Sequence, residues 1–162
     1  MGVEKKAAVN ANRQGDVQVY NVDTNRIEEV LAYMERSVEL LRGLAAREDA
    51  QLMADPVAMA AAERGLHLSL EAIADVGNAL IDGFIMRDPG SYADIVEILR
   101  DERVIDDAEA KVLTDVVAFR KQLVIEYTQV PALDMLRLIR SSLDTLAQFP
   151  VRVRSYLKAE LF

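Results

Sequence analysis

From Ile27 onward the apolar residues recur every three or four positions, the spacing that lays one stripe along an α-helix. Ile27, Val30, Leu31, Met34, Val38 and Leu41 mark a first helix, with Asp23 or Thr24 as its cap and Gly43 weakening its end. Asp55-Pro56 joins a capping acid to a proline suited to the first helical position, so it starts a second helix running to about Met86. Its apolar positions, Leu66, Leu70, Ile73, Val76, Leu80, Ile81, Phe84 and Ile85, cover more than half the circumference and predict the most buried element. Arg87-Asp88-Pro89-Gly90 reads as a turn, and Ser91 with Asp94 opens a short third helix from Tyr92 to about Glu102. Asp106 with Glu109 opens a fourth, carrying Val112, Val116, Phe119 and Leu123 in one row and Leu113, Val117, Val124 and Tyr127 in the next. Pro131 restarts the chain into a fifth, which Pro150 is expected to kink or end before a last segment, Val151 to Leu161. The pattern predicts an all-α fold, an up-and-down helical bundle of four to five main helices with short extra helices. Residues 1–20 are polar and aperiodic and read as a flexible tail, with at most a scrap of strand at Val17 to Val22; residues 21–162 form the bundle domain.

The 162 residues suffice for one domain with its own core, and the absence of cysteine excludes disulfides and thiolate chemistry. A net charge of −8 opposes a broad grip on a phosphate backbone, so any contact with RNA or a nucleotide has to be local. Glu71, Asp75, Asn78 and Asp82 interrupt the apolar run from Leu66 to Met86, which argues against a membrane span. No apolar stretch of signal-peptide length occurs in the first twenty residues, so a cytoplasmic location is the default expectation.

Candidate chemistry is sparse. Arg120 and Tyr127 stand seven residues, two α-helical turns, apart and would project from one face. An arginine in so apolar a setting needs an anion or a hydrogen-bonded partner to offset its desolvation. Glu71, Asp75, Asn78 and Asp82 form one polar stripe on the second helix. That stripe is either a solvated seam or the surface meeting Arg120, with Asp75 or Asp82 as counterion and Asn78 as hydrogen-bond partner. His67 is the only histidine, which excludes histidine pairs and a Ser–His relay within one chain; beside Leu66 and Leu68 it reads as structural or half-exposed. No Glu-x-x-His motif accompanies the carboxylates and no phosphate-cradling glycine loop is present, so neither a metal nor a cofactor is expected. Gly77 and Gly83 read as points of close helix contact.

Three segments in order, Ala72 to Asp82, Asp88 to Asp94 with Val104-Ile105 behind it, and Phe119-Arg-Lys-Gln-Leu-Val-Ile-Glu-Tyr127, resemble the HepT-like branch of the HEPN superfamily. The resemblance extends from about Asp23 to Leu157. It implies a homodimeric helical bundle whose arginine motif faces a cleft at the dimer interface, acting as a metal-independent endoribonuclease. It also implies a toxin encoded beside a small nucleotidyltransferase antitoxin, which in some systems adenylylates the motif tyrosine. Against the family motif Arg-Asn-x-Leu-Val-His-x-Tyr, Arg120, Leu123, Val124 and Tyr127 match, while Lys121 replaces the asparagine and Ile125 the histidine. Cleavage of RNA by its own 2′-hydroxyl needs a group that exchanges protons near neutral pH, which isoleucine cannot supply. Glu126 would point about 120° away from Arg120 on an α-helix. The resemblance therefore implies a ribonuclease impaired in cleavage. The alternative is a non-catalytic homodimeric regulatory protein that partners the nucleotidyltransferase.

Overall fold

The computed structural model describes residues 6–11 and 17–162. An antiparallel hairpin, β1 (Lys6–Ala11) and β2 (Val17–Val22), pairs Lys6 with Val22 and Ala11 with Val17. Six α-helices follow among the described residues: α1 (Thr24–Ala45), α2 (Asp49–Met53), α3 (Pro56–Gly83), α4 (Tyr92–Asp101), α5 (Asp107–Ala118) and α6 (Ala132–Leu161). The fold is the expected all-α bundle, with the hairpin added at its start. β1 is a strand where the sequence suggested irregular chain. The remainder of the expected tail, residues 1–5 and 12–16, lies outside the described residues.

Short polar side chains set the helix starts. Asp23 accepts from the Arg26 N–H, Asp55 from Val57 and Ala58 N–H, Ser91 from Asp94 N–H, and Asp106 from Glu109 N–H in a reciprocal capping box. A second capping box, Glu48 with Gln51, starts the single-turn α2, which has too few residues to show apolar periodicity.

Helix α3 is the central element and packs against each of the other five helices and β2. Leu66, Leu70, Ile73 and Leu80 are fully enclosed with Leu31 of α1, Leu99 of α4 and Leu146 of α6. Close approach depends on glycine: a Cβ on Gly77 would lie 2.3 Å from Ile95 Cγ2 of α4, and one on Gly83 would lie 2.9 Å from Val22 Cγ2 of β2. Gly77 therefore seats α4, and with it Tyr92, close against α3. Arg154 of α6 bridges Glu28 and Glu35 of α1, each at 2.6 Å, tying the last helix to the first.

Two expectations need correction. Pro150 neither ends nor divides the last helix, because α6 runs from Ala132 to Leu161 with Phe149 and Pro150 both buried. Packing at that point outweighs the hydrogen bond that proline cannot donate. Helix α5 stops at Ala118 rather than continuing through Tyr127; the chain widens into a π-helical turn, Lys121–Ile125, and then a 3-10 turn, Tyr127–Gln129.

Candidate functional site

The π turn begins directly after Arg120. Its wide ring is closed by the Glu126 N–H donating to the Lys121 carbonyl at 2.9 Å, five residues back. Phe119 and Leu123 pack against the main core, and Arg120 faces α3. The widened turn also alters the helical phase, so Arg120 and Tyr127 do not share one α-helical face as their spacing suggested. Tyr127 is 68% exposed and Ile125 66% exposed.

Arg120 meets Glu71. Its Nε donates to Glu71 Oε1 at 2.8 Å, while the Tyr92 hydroxyl donates to Glu71 Oε2 at 3.0 Å. The guanidinium carbon lies 4.8 Å from the centroid of the Tyr92 ring, within cation–π range. One carboxylate thus joins the end of α5 to the first residue of α4 across α3. The Glu71 hydrogen bond raises the pKa of Arg120 above the ordinary arginine value. Burial first, and then the bond to Glu71, push the Tyr92 phenol upward, so it remains a protonated donor at neutral pH. His67 sits one turn before Glu71 on α3, with Nε2 3.6 Å from Glu71 Oε1. Its Nδ1 lies 3.3 Å from Arg64 Nη1.

The counterion of Arg120 is therefore Glu71, and neither Asp75 nor Asp82 as the stripe suggested. A helical stripe fixes a direction around the axis but not a height along it, and the end of α5 arrives at the level of Glu71. Asp75, exposed one turn further on, lines a groove of about 360 Å³ between α1 and α3 with Glu71, Arg64, Arg26, Glu29 and Tyr33. Asn78 and Asp82 border a separate groove of about 350 Å³ beside Ile85 and Met86, and Asn78 is no partner of Arg120. Lys121 and Glu126 pair with each other across the π turn at 3.6 Å.

Sequence reasoning did not single out Tyr92, Glu71 as the arginine's partner, or the approach of His67 to that partner. The four-residue spacing of His67 and Glu71 was a legible signal for the last of these. Chemically, the cluster presents a positioned guanidinium at the surface beside a carboxylate, a phenol and the only imidazole of the chain.

A model of the family described as ribonuclease HepT-like matches residues 21–153. YutE of Bacillus subtilis (strain 168), whose name marks it as a candidate RNase, is 41% identical over 143 residues, covering 88% of this chain and 95% of that protein. The solved structure of B. subtilis YutE, described as a cytosolic protein of unknown function, superposes with a TM-score of 0.80 at 42% identity, over 88% of this chain and 95% of that one. A tri-AMPylated Shewanella oneidensis HEPN toxin in complex with an MNT antitoxin has a TM-score of 0.72 at 18% identity, over 80% of this chain and 96% of that one, a likeness of fold. No helix among the described residues is long and apolar enough to cross a membrane.

Proposed function

The chain belongs to the ribonuclease HepT-like family, and from that premise we propose that it is the RNA-engaging component of a HepT-type toxin–antitoxin module, with Arg120 as its phosphate-binding residue and its cleavage impaired. The observation carrying this reading is the placement of Arg120. The motif arginine stands at a π turn, its Nε held by Glu71 and its plane over Tyr92. π turns inside helices frequently occur at functional sites, and a fixed guanidinium suits a phosphate oxygen pair.

The chemistry is metal-independent. The 2′-oxygen of one ribose attacks the adjacent phosphorus while Arg120 stabilises the charge gathering on the phosphate oxygens. With Ile125 at the family's histidine position, that position transfers no proton, and cleavage is slower than in a chain with histidine there. Exposed Ile125 and Tyr127 supply an apolar edge for a homodimer that would set two Arg120 sites across a shared cleft. The exposed hydroxyl of Tyr127 is accessible to a nucleotidyltransferase partner, in keeping with the AMPylated state of the S. oneidensis toxin.

A second reading has a specific observation in its favour. Glu71 already neutralises Arg120, and Ile125 is apolar and exposed, a combination suited to a homodimeric binding protein that regulates without cutting. Restoring the motif with Ile125→His and Lys121→Asn separates the two. In a chelated, metal-free assay on single-stranded RNA, the reverted protein is expected to cut at least about tenfold faster than the natural chain. Equal rates would contradict impairment by Ile125, and failure of both proteins to bind RNA would contradict the reading as a whole.

A further inference from the structure

We propose that His67, paired with Glu71, is the general base of this site and serves in place of the histidine missing at position 125. The inference rests on reading Arg120 as the RNA phosphate site. Glu71 Oε1 is shared: it accepts from Arg120 Nε at 2.8 Å and lies 3.6 Å from His67 Nε2. The chain's single histidine and its motif arginine are thus separated by one carboxylate oxygen, although they come from different helices and lie 53 positions apart in sequence.

The ring is also oriented. Arg64 Nη1 lies 3.3 Å from Nδ1, and with that guanidinium as donor Nδ1 is the acceptor. The neutral ring then carries its proton on Nε2, facing Glu71. This is the arrangement of a general base steadied by a carboxylate: one nitrogen faces the acid, and the other holds a lone pair for a substrate proton. For Nδ1 to take a substrate proton the Arg64 guanidinium has to turn aside, and both side chains reach the surface where it can do so: His67 is 28% exposed at its side chain and Arg64 is exposed.

His67 Nδ1 takes the proton of a ribose 2′-hydroxyl as that oxygen bonds to the adjacent phosphorus. The bond from phosphorus to the 5′-oxygen breaks with its electron pair on that oxygen, which takes a proton from solvent. The products are a 2′,3′-cyclic phosphate and a 5′-hydroxyl end, and the imidazolium returns its proton to solvent. Glu71 stabilises the imidazolium and Arg120 the phosphate. The charged and titratable groups around His67 are Arg64 and Glu71 on α3, Arg120 after α5 and Tyr92 on α4; Arg26, Glu29 and Tyr33 of α1 and Asp75 of α3 line the neighbouring groove.

The test uses the full chain in chelator with a fluorescent single-stranded RNA, measuring affinity by anisotropy and cleavage rate from pH 5 to 9. The expected result is slow cleavage that rises with pH along one ionisation limb. His67→Gln is expected to lower the rate at least about 100-fold while its affinity stays within about twofold. Added imidazole is expected to restore cleavage to His67→Ala, a result that a purely structural histidine would not give. Unchanged cleavage by His67→Gln overturns the inference, as does a natural chain that binds RNA and cuts at no pH. If the natural chain does not bind RNA and Arg120→Met makes no difference, the phosphate-site reading fails and the inference fails with it.

Discussion

Replacing Glu71 by Gln and Arg120 by Met, singly and together, measures the bond on which the site geometry depends. At 2.8 Å and an effective dielectric of about 20, two unit charges attract by several kcal/mol before solvation is counted. The two side chains are 36% and 27% exposed, so water and salt return most of that. The remaining coupling belongs at the upper end of the surface range, about 1 kcal/mol. Glu71→Gln also leaves Tyr92 or Arg120 facing an amide N–H₂ instead of an acceptor, so the single change is expected to destabilise by about 1–2 kcal/mol. For a domain of this size that lowers the melting temperature by roughly 2–8 °C. Urea unfolding of the four proteins, followed by circular dichroism at one fixed protein concentration so that self-association is held constant, gives the coupling directly. A coupling below about 0.3 kcal/mol would refute the claim that Glu71 positions Arg120.

Gly77→Ala places a methyl group 2.3 Å from Ile95 Cγ2, and is expected to destabilise by about 1–3 kcal/mol in the same unfolding assay. Adding Ile95→Ala should then cost less than it does alone, and simple additivity would contradict the contact. Acid is expected to weaken the fold through depressed carboxyl pKa values. The Ala58 N–H and Arg47 lower that of Asp55, Arg87 and the Gly90 N–H lower that of Asp94, and the Glu109 N–H lowers that of Asp106. Because each folded value lies below the unfolded one near 3.8, the stabilisation is complete above that value and is lost as pH falls through the folded values. Melting temperatures from pH 6 to 2 should fall below about pH 4, and less steeply in a variant with Asn at all three positions. Identical slopes would contradict this assignment.

Most of the fold is legible because capping and periodicity are local. Asp55-Pro56, Ser91 with Asp94, and Asp106 with Glu109 act within four residues, and the structure begins helices at those points. Three features depend on more distant contacts. Pro150 stays inside α6 because its surroundings bury it, while the departure from α-helical geometry after Arg120 leaves no trace in a three-to-four-residue repeat. The partner of Arg120 follows from where α5 ends against α3. Periodicity placed Glu71, Asp75, Asn78 and Asp82 on one stripe without ranking them, and the structure selects Glu71. Arg120, Lys121, Ile125 and Tyr127 were legible as a motif, whereas the pairing of Lys121 with Glu126 and the cluster of His67, Glu71 and Tyr92 required three dimensions.

The most direct measurement is equilibrium binding of a short single-stranded RNA, in chelator, to the natural chain and to Arg120→Met across a salt series. If Arg120 holds a phosphate, the substitution removes a charge-assisted contact worth about 1.5–3 kcal/mol and weakens binding by roughly 10–100-fold. It should also reduce the slope of log affinity against log salt by about 0.7, the share of one phosphate on a single strand. Superimposable binding curves and an unchanged slope would contradict Arg120 as the phosphate-binding residue.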